Sequence, residues 1–465
     1  MPTLTTTVVD ELRLRLRGGV HLPGEAEYAD TCELFNTMIV RQPALVARCA
    51  APDDVIAALD IAHRYDLPVA VRAGGHSVAG LSLCDDGIVL DVRAMDDVDV
   101  DPDRRIARVG GGATWARVDA ATQQHGLATT GGRVSTTGVA GLTLGGGSGW
   151  LERKHGLACD NLVAAELVTA DGRFVRADAD HHPDLLWALR GGGGNFGVVT
   201  ALEFALHPVG PEVFGGLALW PVDRGPELLQ RFRDTMRSAP DGLSLALGYV
   251  TAPDEDDIPA DLRGRPAVLI AGMYAGDVAE GEALLAELRA ADPALDAFET
   301  TTYAAFNASL DDPPGYRNWW TAEHLADLTP EAITRIHVRA QDLPGEPAQL
   351  FIVAWGGEMT RVGDDRSPLR ARREGFVVHP LLLWSDPADD ERNIAHGRAY
   401  RDDLRELASG DAYLNFLGDE GEDRRVAQFG AENHARLAEI KAAWDPENVF
   451  SANQNIRPAV GAAAP

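Results

Sequence analysis

Two adjacent glycines followed by a histidine and a serine form the clearest chemical signal in the chain. Residues 71–80 read Val-Arg-Ala-Gly-Gly-His-Ser-Val-Ala-Gly and lie between two apolar runs, 67–71 and 87–92, that are typical of buried strands. Paired glycines let the backbone approach a ligand closely, and successive main-chain N–H groups in such a turn form a concave anion site. The pattern predicts a diphosphate site with His76 at its rim. The alternative interpretation of the same spacing is a tight turn that a histidine caps, without a ligand.

A second glycine-rich stretch covers residues 131–149 and follows a strand, 106–113, that turns into a helix near Thr114. This stretch has too many glycines for a core element. Apolar residues recur within it, so it is not a low-complexity disordered segment either. It fits a backbone that lies flat against a planar ring or a diphosphate, and the alternative is a long structural loop.

A third stretch, Gly-Gly-Gly-Gly-Asn-Phe-Gly at 191–197, follows a short amphipathic helix and leads into a strand. A Rossmann fingerprint requires Gly-x-Gly-x-x-Gly after a first strand, with an acidic residue about 20 positions further on. The order of elements here is different. The sequence therefore indicates that a dinucleotide is not bound in the Rossmann manner.

Taken together, these motifs resemble those of the berberine bridge enzyme-like oxidases of the vanillyl-alcohol oxidase superfamily, whose bacterial members include 6-hydroxynicotine oxidase-like proteins. Residues 72–77 resemble the family's flavin-attachment loop, and 138–162, 191–197, 413–415 and 445–456 match later family motifs in order. The resemblance runs from about residue 40 to 457 and is weakest between 210 and 400. It implies FAD as cofactor, bonded covalently to His76.

The same resemblance implies which other residues contact FAD, residue by residue along the matching motifs. They are Arg72, Ala73, Gly74, Gly75, Ser77, Val78, Gly80, Thr137, Gly138, Gly141, Leu142, Gly145, Gly147, Gly149, Asp160, Asn161, Gly194, Asn195, Phe196, Gly197, Val199, Asn415, Asn453 and Asn455.

Some relatives attach FAD a second time, through a cysteine in a Gly-x-Cys pattern. The matching position here is Val134, and Cys159 lies elsewhere in the motif. The resemblance therefore implies a single covalent bond, to His76.

The order of strands and helices, with this resemblance, predicts an α+β protein. We expect a two-part PCMH-type FAD-binding domain at residues 1–209, with its core at about 40–209, and an inserted substrate domain at 210–405. That insert is predicted as an antiparallel sheet covered by helices, with Pro380 at an edge or bulge. A berberine-bridge-type segment, 406–465, returns to the first domain, and its residues 411–416 are expected to form a strand.

The composition of the chain limits the classes of binding partner that we expect for the protein. Lysine and arginine number 42 against 71 aspartate and glutamate, which gives a formal net charge of −29. That charge argues against nucleic acid and anionic membranes as partners. The four cysteines have neither disulfide-framework nor zinc spacing, so no metal site is expected. A signal peptide and a long apolar span are not recognisable, so the expected location is cytoplasmic. The oligomeric state stays open.

The resemblance implies an oxidase that transfers hydride from a C–H next to an O–H or N–H of a small alcohol, sugar, amine or secondary metabolite. Oxygen would then reoxidise the flavin to give hydrogen peroxide. Candidate bases are Tyr413, His379 and Glu358, and residues 317–320 could line a pocket or simply pack. A dehydrogenase with another acceptor, an NADPH-dependent reductase of the same fold and a non-catalytic flavin-binding protein are the alternatives.

Overall fold

The computed structural model describes residues 6–309, 311, 314–344, 347–370, 372–418 and 420–460. The first elements form a small sheet in the order β1-β2-β4-β3, in which β2, β4 and β3 run parallel. They are α1 (Thr6–Arg15), β1 (Val20–His21), α2 (Ala26–Cys32), β2 (Leu45–Arg48), α3 (Pro52–Arg64), β3 (Val69–Arg72) and β4 (Ile88–Asp91).

Helix α3 connects β2 to β3, as parallel strands require a crossover. It begins with Pro52, whose missing N–H costs nothing in a first turn, and it buries Val55, Leu59 and Ala62 against the sheet. The first glycine loop leaves the carboxyl end of β3, beside the end of β4, where Arg72 is paired with Asp91.

The next elements form an antiparallel sheet in the order β5-β6-β10-β8-β9 and a two-stranded ribbon of β7 and β11. Short 3-10 turns at Gln123–His125 and Ala158–Asn161 accompany them. The elements are β5 (Val98–Asp101), β6 (Ile106–Gly110), α4 (Trp115–Thr122), β7 (Leu127–Ala128), α5 (Val139–Leu144), α6 (Glu152–His155), β8 (Leu162–Val168), β9 (Phe174–Ala177), α7 (Pro183–Leu189), β10 (Val198–Ala205) and β11 (His207–Pro208).

A large antiparallel sheet follows, in the order β15-β12-β14-β13-β19-β20-β17, with β16 paired to β12 and β18 paired to β20. Its strands are β12 (Glu212–Pro221), β13 (Leu243–Thr251), β14 (Pro266–Tyr274), β15 (Leu295–Asp296), β16 (Glu299–Thr302), β17 (Arg317–Trp320), β18 (Glu323–Leu325), β19 (Gln349–Trp355) and β20 (Gly375–Trp384).

Helices cover one face of this sheet. Phe376 and Val378 of β20 join the apolar cluster under the helices, whereas Val377 belongs to the cluster on the opposite face, which it shares with the glycine-rich region. The covering helices are α8 (Gly225–Ser238), α9 (Val278–Arg289), α11 (Pro330–Ala340) and α13 (Asp390–Arg405). The other helices, α10 (Tyr303–Ala308), α12 (Glu358–Arg361) and α14 (Glu422–Trp444), contribute to the cluster on the opposite face.

Two local predictions are wrong. Pro380 lies in an interior strand, since β20 pairs with β19 on one side and with β17 and β18 on the other. Its carbonyl oxygen faces Thr321, where the chain passes between β17 and β18. The N–H and C=O of one residue in an antiparallel strand point towards the same neighbouring strand. The N–H that Pro380 lacks would therefore also face Thr321, at the break between β17 and β18, so no hydrogen bond within these strands is lost.

The second wrong prediction concerns residues 411–416, which do not form a strand. They end in a 3-10 turn at Leu414–Phe416, in which the Phe416 N–H donates to the Tyr413 carbonyl oxygen at 3.0 Å. The Leu414 N–H donates to the side chain of Gln428 at 2.6 Å, so a side chain takes the place of a neighbouring strand.

Within the described residues, no helix combines the length and apolarity that a membrane crossing requires.

Candidate cofactor and substrate site

His76 lies at the meeting point of the two glycine-rich loops. The hydroxyl of Thr136 is 3.1 Å from its Nε2, the hydroxyl of Thr137 is 3.5 Å from its Nδ1, and the ring of Phe35 stacks on it at 4.5 Å. Burial lowers the pKa of His76 to about 4, and the positive charge of Arg72 adds to the effect. The imidazole is therefore neutral at pH 7 and keeps one nitrogen lone pair.

The two loops touch backbone to backbone, because glycines stand at both contact points. A methyl group on Gly74 would overlap the main chain of Gly138, and one on Gly138 would overlap Gly74. Next to them, the buried guanidinium of Arg72 packs on Gly75 and donates to the Glu33 carbonyl oxygen at 3.0 Å. Its Nε and Nη1 are buried and have no hydrogen-bond partner among the residues that the structure describes. Unpaired buried cationic donors favour an anionic ligand, which fits a diphosphate.

Open space beside two other glycines also fits a bound cofactor. Gly141 in α5 and Gly194 in the third glycine stretch have no atom within 4 Å of the position that a side chain would take. Most other glycines of these stretches face a neighbouring atom; at Gly149, for example, a side chain would overlap the Gly131 carbonyl oxygen. The open space beside Gly141 and the open space beside Gly194 each leave room for a ligand that a larger residue would exclude.

The C-terminal asparagines divide into two kinds. Asn453 and Asn455 have buried side-chain oxygens without a partner in the described part of the chain, which suits a ligand with N–H groups. Asn415 instead packs on Gly145 and donates to the Leu142 carbonyl oxygen at 2.9 Å.

Several predicted FAD contacts have their side chains committed to the protein. Asp160 accepts two bonds from Arg372, at 2.8 and 2.9 Å, and one from the Leu157 N–H at 2.8 Å, and Asn161 bonds to two main-chain oxygens and to His207. Phe196 is fully buried in the core, as is almost all of Val199 in β10. These four residues can offer FAD little more than main-chain atoms.

Asn195 joins the third glycine stretch to the C-terminal segment. Its side chain donates to the Gly192 carbonyl oxygen at 2.8 Å and accepts from the Ile456 N–H at 2.9 Å. The remaining predicted contacts lie on the same loops, at Ala73, Ser77, Val78, Gly80, Gly147 and Gly197.

Tyr413, a candidate base, is held by hydrogen-bond donors. Its hydroxyl oxygen accepts from the N–H groups of Gly147 and Ser148, each at 2.8 Å, and lies 3.3 Å from the Asn415 amide nitrogen. Burial raises the pKa of Tyr413. The group therefore keeps its proton at neutral pH, and within the described residues that proton has no acceptor.

His379, the second candidate base, has a fixed tautomer. Its Nδ1 lies 2.8 Å from the Thr321 carbonyl oxygen, which can only accept, so Nδ1 carries the hydrogen and Nε2 carries the lone pair. Burial lowers the pKa of His379 to about 4. The described residues supply no partner for Nε2, so a neutral imidazole offers a free acceptor there.

Glu358, the third candidate base, is not brought to these two residues. It lies in α12, where its carboxylate is 42% exposed and pairs with Arg361 at 3.1 Å. Arg361 also pairs with Asp241. These contacts make Glu358 part of a solvated ion-pair cluster, which is the simplest role for an exposed carboxylate.

Five aromatic rings, each in contact with the next, lead from Phe35 to Tyr413, and we call them the aromatic arc. Phe35, at one end of the arc, is the ring that stacks on His76. Centroid separations are 5.9 Å from Phe35 to Trp320, 5.4 Å from Trp320 to His379, 4.3 Å from His379 to Phe416 and 4.8 Å from Phe416 to Tyr413. The sequence leaves Trp320 either lining a pocket or simply packing, and it names neither Phe35 nor Phe416 as a site residue. Phe416 directly follows the 413–415 motif, whereas no motif or periodicity marks Phe35.

Comparison with known proteins identifies the family of this chain. A family model described as an FAD binding domain matches residues 43–178, and one described as berberine and berberine like matches 412–457. Together with the glycine loops, these matches define an FAD-binding oxidoreductase.

The FAD-linked oxidoreductase YvdP of Bacillus subtilis is 30% identical over 96% of this chain and 99% of its own length. The (R)-6-hydroxynicotine oxidase of Paenarthrobacter nicotinovorans is 29% identical over 96% of this chain and 98% of its own. The crystal structure of 6-hydroxy-D-nicotine oxidase from Arthrobacter nicotinovorans superposes with a TM-score of 0.86 at 29% identity, covering 96% of this chain and 99% of that one. The chain belongs to the berberine bridge enzyme-like family of FAD-linked oxidoreductases, which confirms the predicted family, α+β fold and FAD cofactor.

Proposed function

We propose that this protein is an oxidase that removes hydride from a C–H next to an O–H or N–H of a small organic substrate, with O2 as the electron acceptor. When bound, FAD supplies the hydride acceptor and passes the electrons to O2, which becomes hydrogen peroxide. The chain's own residues bind the substrate and take up its proton. The product is a carbonyl compound or an imine.

The observation that carries this proposal is the state of His379. A neutral imidazole with its hydrogen fixed on Nδ1 leaves Nε2 free to accept the O–H or N–H proton as the hydride leaves. The Thr321 carbonyl oxygen stabilises the imidazolium that forms, because Nδ1–H already donates to it. His379 therefore has the better geometry of the two buried candidates.

Tyr413 suits a different role. Its oxygen is occupied by main-chain donors and its proton is free, so it donates rather than accepts at neutral pH. A substrate oxygen or nitrogen within reach would receive this hydrogen bond. Tyr413 then orients the substrate while His379 takes its proton.

His76 would carry FAD through a single bond between an imidazole nitrogen and the 8α carbon of the flavin. Its low pKa supports this proposal, because a neutral imidazole has the lone pair that bond formation needs. The new C–N bond would replace one C–H of the 8α methyl and the imidazole N–H, and the two electrons and two protons released would pass to the flavin and then to O2 as hydrogen peroxide. With Val134 at the position of the second attachment cysteine, one bond per chain is expected.

The test is to mix the holoenzyme anaerobically with a panel of candidate substrates and follow bleaching of the flavin absorbance, then admit air and measure hydrogen peroxide. The panel comprises sugars, secondary alcohols and cyclic amines, and includes 6-hydroxynicotine because one relative is named for it. Bleaching by a panel member followed by stoichiometric peroxide is the expected result. Bleaching that persists in air would indicate a dehydrogenase instead, bleaching by NADPH alone a reductase, and no bleaching at all a binding protein.

A further inference from the structure

We infer that Glu420 is a positioning residue for His379 and that it acts through Thr321, without touching the imidazole. The inference deepens the proposed function and rests on it for the role of His379 as the base. Two hydrogen bonds, both made by Thr321, carry it. His379 Nδ1 lies 2.8 Å from the Thr321 carbonyl oxygen, and the Thr321 hydroxyl donates to Glu420 Oε1 at 2.5 Å.

Thr321 lies where the main-chain ladder along β20 is interrupted. Strand β17 pairs with β20 up to residue 320, and β18 pairs with it from residue 323. In the described part of the chain, the Thr321 carbonyl oxygen accepts from no main-chain N–H, and its partner is the His379 side chain. Strand pairing therefore does not set the direction of this carbonyl group.

The side chain of Thr321 supplies the constraint that the ladder lacks. A threonine has a single, stiff torsion between its main chain and its hydroxyl, so a hydroxyl held at a fixed point limits the orientation of its own main chain. Thr321 is buried, and Arg424 Nη2 holds the next residue by donating to the Ala322 carbonyl oxygen at 2.7 Å. Both side chains that fix the interruption, those of Glu420 and Arg424, come from the C-terminal segment.

Glu420 is surrounded by three arginines. Its side chain is 7% exposed, and its Oε2 lies 3.5 Å from Arg424, 3.7 Å from Arg401 and 3.9 Å from Arg405. Guanidinium groups at these distances favour the charged form of the carboxyl group. A carboxylate accepts a stronger hydrogen bond than a neutral group does, and Oε1 directs this bond to Thr321.

The position of the Thr321 carbonyl oxygen decides what His379 can do. In a neutral imidazole one nitrogen carries the hydrogen and the other carries the lone pair. Only the form with the hydrogen on Nδ1 leaves a lone pair on Nε2 for the substrate proton. Trp320 and Phe416 pack on the imidazole and limit its tilt, whereas the bond to Thr321 selects the nitrogen.

Glu323 provides a matched control in the same cluster of charges. Its side chain is 1% exposed, and its carboxylate pairs with Arg405 at 3.4 Å and with Arg424 at 3.3 Å. Within the described residues it makes no hydrogen bond to Thr321. Loss of either carboxylate changes the charge balance around the arginines, but only loss of Glu420 releases the Thr321 hydroxyl.

The experiment is nuclear magnetic resonance of the FAD-loaded protein with ¹⁵N-labelled histidine rings at pH 7. The His379 signals are assigned by their absence from His379→Gln, and the shifts of the two ring nitrogens report which one carries the hydrogen. We expect the hydrogen on Nδ1 in the parent. In Thr321→Val and in Glu420→Leu, the form with the hydrogen on Nε2 should become roughly fivefold to tenfold more populated, because its competitor loses a well-placed acceptor.

Thr321→Ser and Glu420→Gln keep a hydroxyl donor and an oxygen acceptor, so both should restore the parent signals. Glu323→Leu should also leave them unchanged. Parent signals in Thr321→Val would overturn the inference, and so would an equal change in Glu323→Leu. If the leucine variants do not fold, Thr321→Val and Thr321→Ser decide, because each replaces or removes a single small group.

A kinetic measurement separates this inference from the proposed function. If His379 is the base, Thr321→Val should lower kcat severalfold and leave KM nearly unchanged. A changed tautomer together with the parent kcat would refute His379 as the base and leave the positioning role of Glu420 intact. The tautomer is read without substrate, so the two proposals fail separately.

Discussion

Asn36 and Asn318 face each other with two hydrogen bonds, although they lie 282 positions apart. The Asn36 side-chain oxygen accepts from the Asn318 N–H at 2.9 Å, and the Asn36 amide donates to the Asn318 carbonyl oxygen at 3.0 Å. Asn36 also donates to the Val78 carbonyl oxygen at 2.9 Å and accepts from the Met38 N–H at 3.1 Å. The Asn36 side chain thus uses both N–H hydrogens and both lone pairs of its oxygen. Its bonds to Val78 and Asn318 hold the loop that contains His76 against β17, the strand that carries Trp320.

Replacing Asn36 by leucine should therefore destabilise the protein. The substitution leaves main-chain groups of Asn318 and Val78 buried without partners, and we expect the free energy of unfolding to fall by about 2–4 kcal/mol. Urea denaturation of the FAD-loaded protein measures this. Gln42→Leu, at an exposed position in the same segment, should change it by less than about 0.5 kcal/mol. Equal effects of the two substitutions would show that Asn36 does not fasten these elements.

Gly141→Leu should prevent the binding of FAD without changing the fold of the protein. The first side-chain atom at this position meets no protein atom within 4 Å, and glycine inside α5 costs about 1 kcal/mol relative to alanine. The new side chain would occupy the space assigned to FAD. We expect the ratio of flavin absorbance to protein absorbance to fall severalfold, with the far-ultraviolet circular dichroism spectrum unchanged.

The control for that substitution is Ala120→Leu, on an exposed face of α4, which should keep the parent flavin content. A Gly141→Leu protein with full FAD content would mean that the open space has another purpose.

Lys441→Met should be strongly destabilising. The ammonium is fully buried and donates to Asp445 at 2.6 Å, to the Asn195 carbonyl oxygen at 2.7 Å and to the Phe450 carbonyl oxygen at 2.9 Å. Removing it leaves the Asp445 carboxylate buried without its counter-ion, at a cost of about 3–5 kcal/mol in denaturant unfolding.

The double variant Lys441→Met/Asp445→Asn removes both charges and should be more stable than Lys441→Met alone. If the double variant loses as much as the sum of the two single variants, the pair does not act as a unit.

The pH dependence of kcat/KM should reflect the low pKa of His379. Below about pH 4 the imidazole is protonated and Nε2 cannot accept, so kcat/KM should rise as the pH rises through about 4 and stay level near neutrality. An ordinary exposed histidine would place this rise near pH 6.5.

His379→Gln should lower kcat by about 10²–10⁴-fold, remove the acid limb and leave FAD content unchanged. A rise near pH 6.5, or an acid limb that survives in His379→Gln, would assign the base to another group.

Local features of this fold are predictable from the sequence, and distant contacts are not. The buried strands β3 and β4, the hairpin of β8 and β9 with its Asp-Gly turn, and helix α3 all follow from nearby residues, whereas the parallel pairing of β3 with β4 does not. The third sheet follows from its continuous apolar runs, such as 267–274 and 375–384, which are separated along the chain by helical segments such as 278–290.

The residues that form the site are harder to predict from the sequence. Phe35 and Asn36 lie in a segment without periodicity, and their role depends on a strand about three hundred residues away. Asp160 and Asn161 sit in a conspicuous motif, yet their side chains bond to Arg372, His207 and the main chain. Only the packing separates Trp319 from Trp320, so spacing alone could not divide their roles.

The attachment of FAD to His76 is tested most directly by acid denaturation of the purified protein and of His76→Ala, followed by mass measurement of the intact chains. We predict that the yellow colour precipitates with the parent chain and that its mass exceeds that of the sequence by one FAD. His76→Ala should release its pigment to the supernatant and have the bare mass. An alanine variant that keeps as much pigment on the denatured chain as the parent would contradict a covalent bond at His76.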